Sequence, residues 1–209
     1  MYSGIFVCGV FICVFEDAAV TDWMPICPWP GQQADYIAYH NDEWGVPCHD
    51  SRRLFEKLCL EGQQAGLSWL VVLRKREHYR RCFHGFDPQR IAGMTEAELE
   101  RLLQDPGLIR HRGKLTAIRT NARAYVRLAE QGVDFAEWLW SFVGGEPRVN
   151  HWSGMQEVPT QTAESNAMSK ALKKAGFAFV GPVGCYAFMQ SMGLVNDHLT
   201  CCAQHPDNR

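Results

Sequence analysis

A chain of 209 residues, 46% hydrophobic and 21% charged, is long enough to bury a core as one domain or two closely packed lobes. Its formal net charge of -2 conceals a basic middle, where Arg74 to Arg127 holds 13 of the 21 Lys and Arg residues against six acids. Nine cysteines, an odd number at modest density, argue against a disulfide scaffold and for reduced thiols in a cytoplasmic protein.

The apolar opening "GIFVCGVFICVF" is too short to span a bilayer and carries neither a preceding Lys or Arg nor a small-residue cleavage site. Met24, followed by "PICPWPG", is a plausible beginning, so residues 1–23 are expected to be a non-essential extension and 24–209 the working domain. Asp35 can cap a helix carrying Tyr36, Tyr39, His40, Glu43 and Trp44, and Asp50 or Ser51 starts the next. That second helix raises a question. Leu54 and Leu58 mark its core face, yet the following slot falls to Glu61 or Gly62, which aims a carboxylate inward. Burial of an unpaired carboxylate is unfavourable by several kcal/mol, so Glu61 requires either a solvated cavity or a partner.

Gly66 can close the second helix and Ser68 open a third, running through Trp69 and Val72 to about Phe83. Thr95 and Glu98 form a capping-box pattern before Leu99, Leu102 and Leu103. After the interruption "DPGLIRHRGK", a long helix is expected from about Arg112 to Gly132. "FAEWLWSFV", "SNAMSKALKKAG" and "PVGCYAFMQSMGLV" also read as helices, and no sustained alternation marks a strand. The expected fold is all-α.

Three constellations could carry chemistry. The Pro106–Gly107 turn, flanked by Arg110, Arg112, Gly113 and Lys114, would offer backbone N–H groups and a positive helix end to a phosphate. An ordinary turn between core helices has the same punctuation, and a basic stretch is commonly a solvated face. Cys27, His40, His198 and Cys202 could supply a closed tetrahedral zinc site, a clasp between chain ends with no open position for water. Here His198 and Cys202 share a helical face at i and i+4, while Cys201, His205, Cys48 and His49 are rival ligands. Glu61, Tyr36, Tyr39, Trp44 and Trp69 could line a cavity suited to a flat cation, although aromatics at this spacing also build ordinary cores and an Arg could pair Glu61.

Taken together, "YIAYHNDEWGVP", "CLEGQQAGLSW", "GLIRHRGK", "KALKKAGFAFVG" and "GLVNDH" resemble the 3-methyladenine DNA glycosylase I family over roughly residues 24–206. The resemblance implies a helix-hairpin-helix glycosylase fold acting on double-stranded DNA with an alkylated purine. It implies a structural zinc on Cys27, His40, His198 and Cys202, and "PGLIRHRGK" as the DNA-binding hairpin. It places the base pocket at Tyr39, Trp69 and the catalytic Glu61, with Trp29, Tyr36 and Trp44 nearby. It also makes Leu67, beside Gly66, the apolar wedge that probes the duplex. A monomer is expected, with the methylated base itself as the partner of Glu61. Two features depart from the wider superfamily: the turn has one glycine, Gly107, and "RHR" displaces Lys114 from a Schiff-base position. No aspartate beyond the hairpin takes the sugar-stabilising place, since Glu130 and Asp134 lie at the far end of a long helix. The rival readings are a glycosylase with lyase activity and a non-catalytic DNA-binding module.

Overall fold

The second helix, α2 (Ser51–Gln64), is the axis of the architecture, and it packs against helices on several sides. The computed structural model describes residues 26–209, so the segment 1–23 lies outside the described residues. Asp50 caps α2 by accepting a hydrogen bond from the Arg53 N–H at 2.7 Å. From Leu54 to Gln63 only Glu56 is not buried, the pattern of a helix surrounded by protein.

Before it lies α1 (Ala34–Asp42), and after the Ala65–Ser68 turn comes α3 (Trp69–Cys82). Gly66 adopts φ +75°, a backbone state that strains any other residue, and so reverses the chain where Leu67 is 41% exposed. A short α4 (Pro88–Ala92), not anticipated from periodicity, is capped by Asp87 and packs on the long α6 (Arg112–Glu130). Between them, α5 (Glu96–Leu102) begins with the expected reciprocal capping box of Thr95 and Glu98. The chain continues through α7 (Phe135–Trp140), α8 (Ala163–Ala175) and α9 (Pro182–Ser191). Tyr79, Phe83 and Phe86 join Phe55, Leu58, Leu115, Ile118 and Phe188 in the core.

Three local expectations are corrected. Gln33, not Asp35, is the N-cap of α1; Asp35 sits in the first turn and pairs with Arg74 at 2.7 Å. Two strands of two residues each, β1 (Arg148–Val149) and β2 (Val195–Asn196), pair in parallel with Arg148 opposite Val195. They are too short for alternation to signal them. The segment from His198 to Cys202 is a turn, so their convergence arises from loop closure rather than from a helical face.

Candidate functional site

Five aromatic residues and Glu61 meet around a cavity of about 230 Å³. Trp29 comes from the segment before α1, Tyr36 and Tyr39 lie on one face of α1, Trp44 follows α1, and Trp69 begins α3. Their ring centroids form a connected wall: Trp29 lies 4.9 Å from Tyr36 and 5.2 Å from Trp44, and Tyr39 lies 5.6 Å from Trp69. Burial raises the Tyr39 hydroxyl well above its ordinary pKa, so it stays protonated and can donate.

Among the described residues, the buried side-chain nitrogen and oxygen atoms with no hydrogen-bond partner are Trp29 Nε1, Trp69 Nε1 and Glu61 Oε2. All three residues line this cavity. Native proteins rarely leave such atoms unsatisfied, so two donors and one acceptor around one apolar space describe a receptor for a flat ligand with a polar edge.

The question raised by Glu61 has an answer that periodicity missed. Its Oε1 pairs with Lys57 Nζ at 2.8 Å, one turn earlier on α2, and Lys57 also donates to the Tyr39 hydroxyl at 2.9 Å. The ammonium lies 3.0 Å from the Trp69 ring centroid. The expectation that the methylated base is the partner of Glu61 is therefore corrected in part: Lys57 holds one carboxylate oxygen within the protein, and the other has no protein partner. A lysine four residues before the glutamate was the available signal, but buried lysines are rare enough that the pair reads as surface decoration.

Asp197 is a second wall residue that sequence patterning left out. It accepts hydrogen bonds from Asn150, Trp152, Tyr186 and Gln190 at 2.6–2.8 Å. Four donors occupy the accepting capacity of one carboxylate, so Asp197 ties β2 to α9 and is poorly placed to activate water. Its partners are remote in sequence and leave no local signature.

Behind the aromatic wall, the side chains of Cys27, His40, His198 and Cys202 converge and are all buried. Cys202 Sγ lies 3.6 Å from His40 Nε2 and 3.5 Å from His198 Nδ1, and Cys27 Sγ lies 3.7 Å from His198 Nδ1. Tetrahedral zinc bonds of about 2.0–2.3 Å put neighbouring ligand atoms about 3.3–3.8 Å apart, so the donor set fits that ion. The outer ring nitrogens also have partners: His40 Nδ1 meets Asn41 Oδ1 at 2.7 Å and His198 Nε2 meets the Trp44 carbonyl at 3.0 Å. Those bonds leave the inner nitrogens as lone-pair ligands. The rival residues lie elsewhere: Cys201 is exposed, His205 groups with His151 and Asp207, and His49 stacks on Trp140, which itself donates to the Cys48 carbonyl.

The hairpin between α5 and α6 differs from expectation in detail. The Gly107 N–H donates to Asp105 Oδ1 at 2.7 Å and is unavailable to a phosphate. A Cβ there would lie 2.4 Å from the His78 ring, so a larger residue would displace that side chain from its place beside the turn. Arg112 is engaged by Glu100, with Nη2 at 2.8 Å, whereas Arg110 is exposed and no ion pair to it is found among the described residues. Arg112 and Gly113 occupy the first turn of α6, where N–H groups have no intrahelical partner.

Lys114 is turned away from solvent. It is 6% exposed and donates to the Gln63 carbonyl at 2.8 Å and the Ala65 carbonyl at 2.6 Å, capping the C-terminal end of α2. The assignment of Lys114 to phosphate contact is thereby corrected to a helix clamp beneath the Gly66–Leu67 turn. Lys114→Met is expected to lower stability by about 1–2 kcal/mol, read by thermal unfolding, and to leave the salt dependence of DNA binding unchanged. Arg110→Ala is expected to do the reverse, lowering the slope of log affinity against log salt by about 1. A shallower slope in Lys114→Met would restore the phosphate role.

The family model described as methyladenine glycosylase matches residues 29–205. DNA-3-methyladenine glycosylase 1 of Escherichia coli (strain K12) is 56% identical over 186 residues, 89% of this chain and 100% of that protein. DNA-3-methyladenine glycosylase of Haemophilus influenzae is 57% identical over 176 residues, 84% of this chain and 95% of that protein. A solved structure of 3-methyladenine DNA glycosylase I from Staphylococcus aureus, concerned with 3-methyladenine recognition, superposes with a TM-score of 0.85. It is 37% identical, with 88% of this chain and 97% of that chain covered.

Proposed function

The chain belongs to the methyladenine glycosylase family, and from that premise we propose that it hydrolyses the N-glycosidic bond of 3-methyladenine in alkylated double-stranded DNA. The products are free base and an abasic site, the first step of base excision repair. The observation that carries this reading for the chain itself is the convergence of Glu61 Oε2, Trp29 Nε1 and Trp69 Nε1, all without partners, on one aromatic cavity.

Methylation at N3 makes the base a fixed cation and a good leaving group. Extrusion from the stack brings it into the cavity, where the faces of Tyr36, Tyr39 and Trp69 favour positive charge. Glu61 Oε2 accepts from the exocyclic amino edge. When the bond from N9 to the sugar carbon breaks, its electron pair stays on the base, which leaves neutral; water adds to the sugar cation and loses a proton. Little acid catalysis is needed, consistent with Asp197 being saturated by four donors.

Around the cavity, Leu67 and Gly66 form the turn that enters the duplex where the base has left, and α5, the Gly107 turn and α6 act as the helix-hairpin-helix element. Phosphate contact there falls to Arg110, Arg112 and the first N–H groups of α6. Zinc held by Cys27, His40, His198 and Cys202 has a structural role, joining the first described residues to the last. Seven free cysteines among the described residues, none in a disulfide, support a reducing cytoplasmic setting. Among those residues no helix is long and apolar enough to cross a membrane. The protein is read as a monomer.

Purified protein incubated with methylated DNA is expected to release 3-methyladenine, identified by mass spectrometry. A folded, zinc-loaded sample that releases no methylated purine would instead be a DNA-binding module. The enzyme is monofunctional, and the Lys114 ammonium is committed to two carbonyls. Borohydride trapping on alkylated DNA should therefore yield no covalent complex; an adduct that disappears in Lys114→Ala would establish a lyase.

A further inference from the structure

We infer that Lys57 is a positioning residue that fixes the hydrogen-bond polarity of the base pocket, holding Glu61 as an acceptor and Tyr39 as a donor toward the bound base. This rests on the base-pocket reading above. Lys57 does not line the cavity and is 7% exposed. All three of its N–H directions are accounted for: Glu61 Oε1 at 2.8 Å, the Tyr39 oxygen at 2.9 Å, and the Trp69 ring with its centroid 3.0 Å away.

The consequence is directional. An ammonium can only donate, so the Tyr39 oxygen acts toward it as acceptor and its own O–H proton must leave in another direction. Tyr39 and Glu61 both line the cavity, and Glu61 Oε2 has no protein partner. One group anchored from behind therefore leaves a donor and an acceptor side by side. That pair complements a base edge in which an amino group adjoins a ring nitrogen, and it rejects an edge in which donor and acceptor are exchanged. The ammonium also fixes the carboxylate in place by one oxygen, Glu61 Oε1, so that the other, Oε2, is the one presented to a ligand. Desolvation lowers Lys57 to about 8, with Glu61 opposing that fall.

A merely structural lysine would neutralise Glu61 for folding and leave recognition to the lining residues. A double-mutant cycle separates the two roles. Binding of free 3-methyladenine is measured by calorimetry for wild type, Lys57→Met, Glu61→Gln and the double variant, beside thermal unfolding. Binding of 3-methylhypoxanthine, whose oxo group replaces the amino donor, is measured in parallel.

In Lys57→Met, affinity for 3-methyladenine is expected to fall about tenfold, and preference over the oxo analogue should shrink by a similar factor. In the Glu61→Gln background the same substitution should change either quantity less than about threefold. Lys57→Arg, which keeps the donors, should recover part of the preference; if Lys57→Met is too unstable to purify, the cycle is run with Lys57→Gln. Equal losses in both backgrounds, or an unchanged preference despite a lower melting temperature, would reduce Lys57 to a structural ion-pair member. Wild-type protein that binds and releases no 3-methyladenine would remove the base-pocket reading, and this inference with it. A wild type that does both alongside an additive cycle would overturn only the role of Lys57.

Discussion

Glu61→Ala is expected to lose excision and folding stability together. On the activity side, removal of Oε2 takes away the acceptor for the exocyclic edge and the negative charge beside the cationic base. The expected loss is about 1–3 kcal/mol, roughly 5- to 150-fold in single-turnover excision, with Glu61→Gln intermediate. On the stability side, the Lys57 ammonium remains buried with its ion-pair partner gone. Breaking a buried pair from one side costs on the order of 3–5 kcal/mol, an upper limit here because Lys57 can shed its proton. The stability expectation reverses what a buried, unpaired carboxylate would predict, which is a gain on its removal.

The pH dependence supplies a check with a definite sign. Burial lowers Lys57 from its ordinary 10.5 to about 8, with Glu61 opposing that fall. Between those values the unfolded chain binds more protons than the native protein, so this group's contribution to stability falls as pH drops through that window. In Glu61→Ala the opposing charge is absent, the Lys57 value falls further, and the window widens downward. Thermal unfolding across pH 6–10 should therefore show the deficit of Glu61→Ala against wild type growing toward the acid side. A deficit independent of pH would assign it to lost packing.

With zinc held as proposed, Cys202→Ala is expected to release the metal and loosen the pocket as well as the fold. Its sulfur lies 3.5–3.6 Å from both imidazoles, and neither rival thiol, Cys201 or Cys48, is among the converging ligand atoms. With a loss of about 3 kcal/mol, at about 2–4 °C per kcal/mol for a chain of this size, the unfolding midpoint falls by about 6–12 °C. The site also touches the base wall. His40 follows Tyr39 on α1, and the Trp44 carbonyl meets His198 Nε2 while its ring lies 4.6 Å from the His198 ring. Affinity for free 3-methyladenine should therefore decline in the zinc-free protein even below its melting temperature. Metal analysis that still finds one zinc per chain in Cys202→Ala would move the ligand to another residue.

The helices and their punctuation were legible from local chemistry. Asp50, Thr95 with Glu98, and Gly66 act within a few residues of where they stand, and each occupies the position its side chain or backbone freedom suggests. Asp35 was the exception: Arg74, 39 positions away, holds its carboxylate in the first turn of α1. The all-α class followed from apolar periodicity, while two short parallel strands escaped because each pairs with a segment far along the chain. The aromatic residues of the pocket and the four possible metal ligands were visible as residue types and as a family pattern, since their chemistry is carried by identity.

By itself, the sequence determined which segments coil, where they stop, and which side chains have the chemistry to hold a base or a metal. Those properties depend on near neighbours and on the side chain's own groups. Only the tertiary structure decided what each charged group faces. Lys57 faces Glu61 and Tyr39, Lys114 faces the end of α2, Gly107 gives its N–H to Asp105, and Asp197 is enclosed by four donors. The physical reason is that a buried charge is governed by desolvation and by the few polar atoms within hydrogen-bond reach, and in a folded chain most of those atoms come from distant positions.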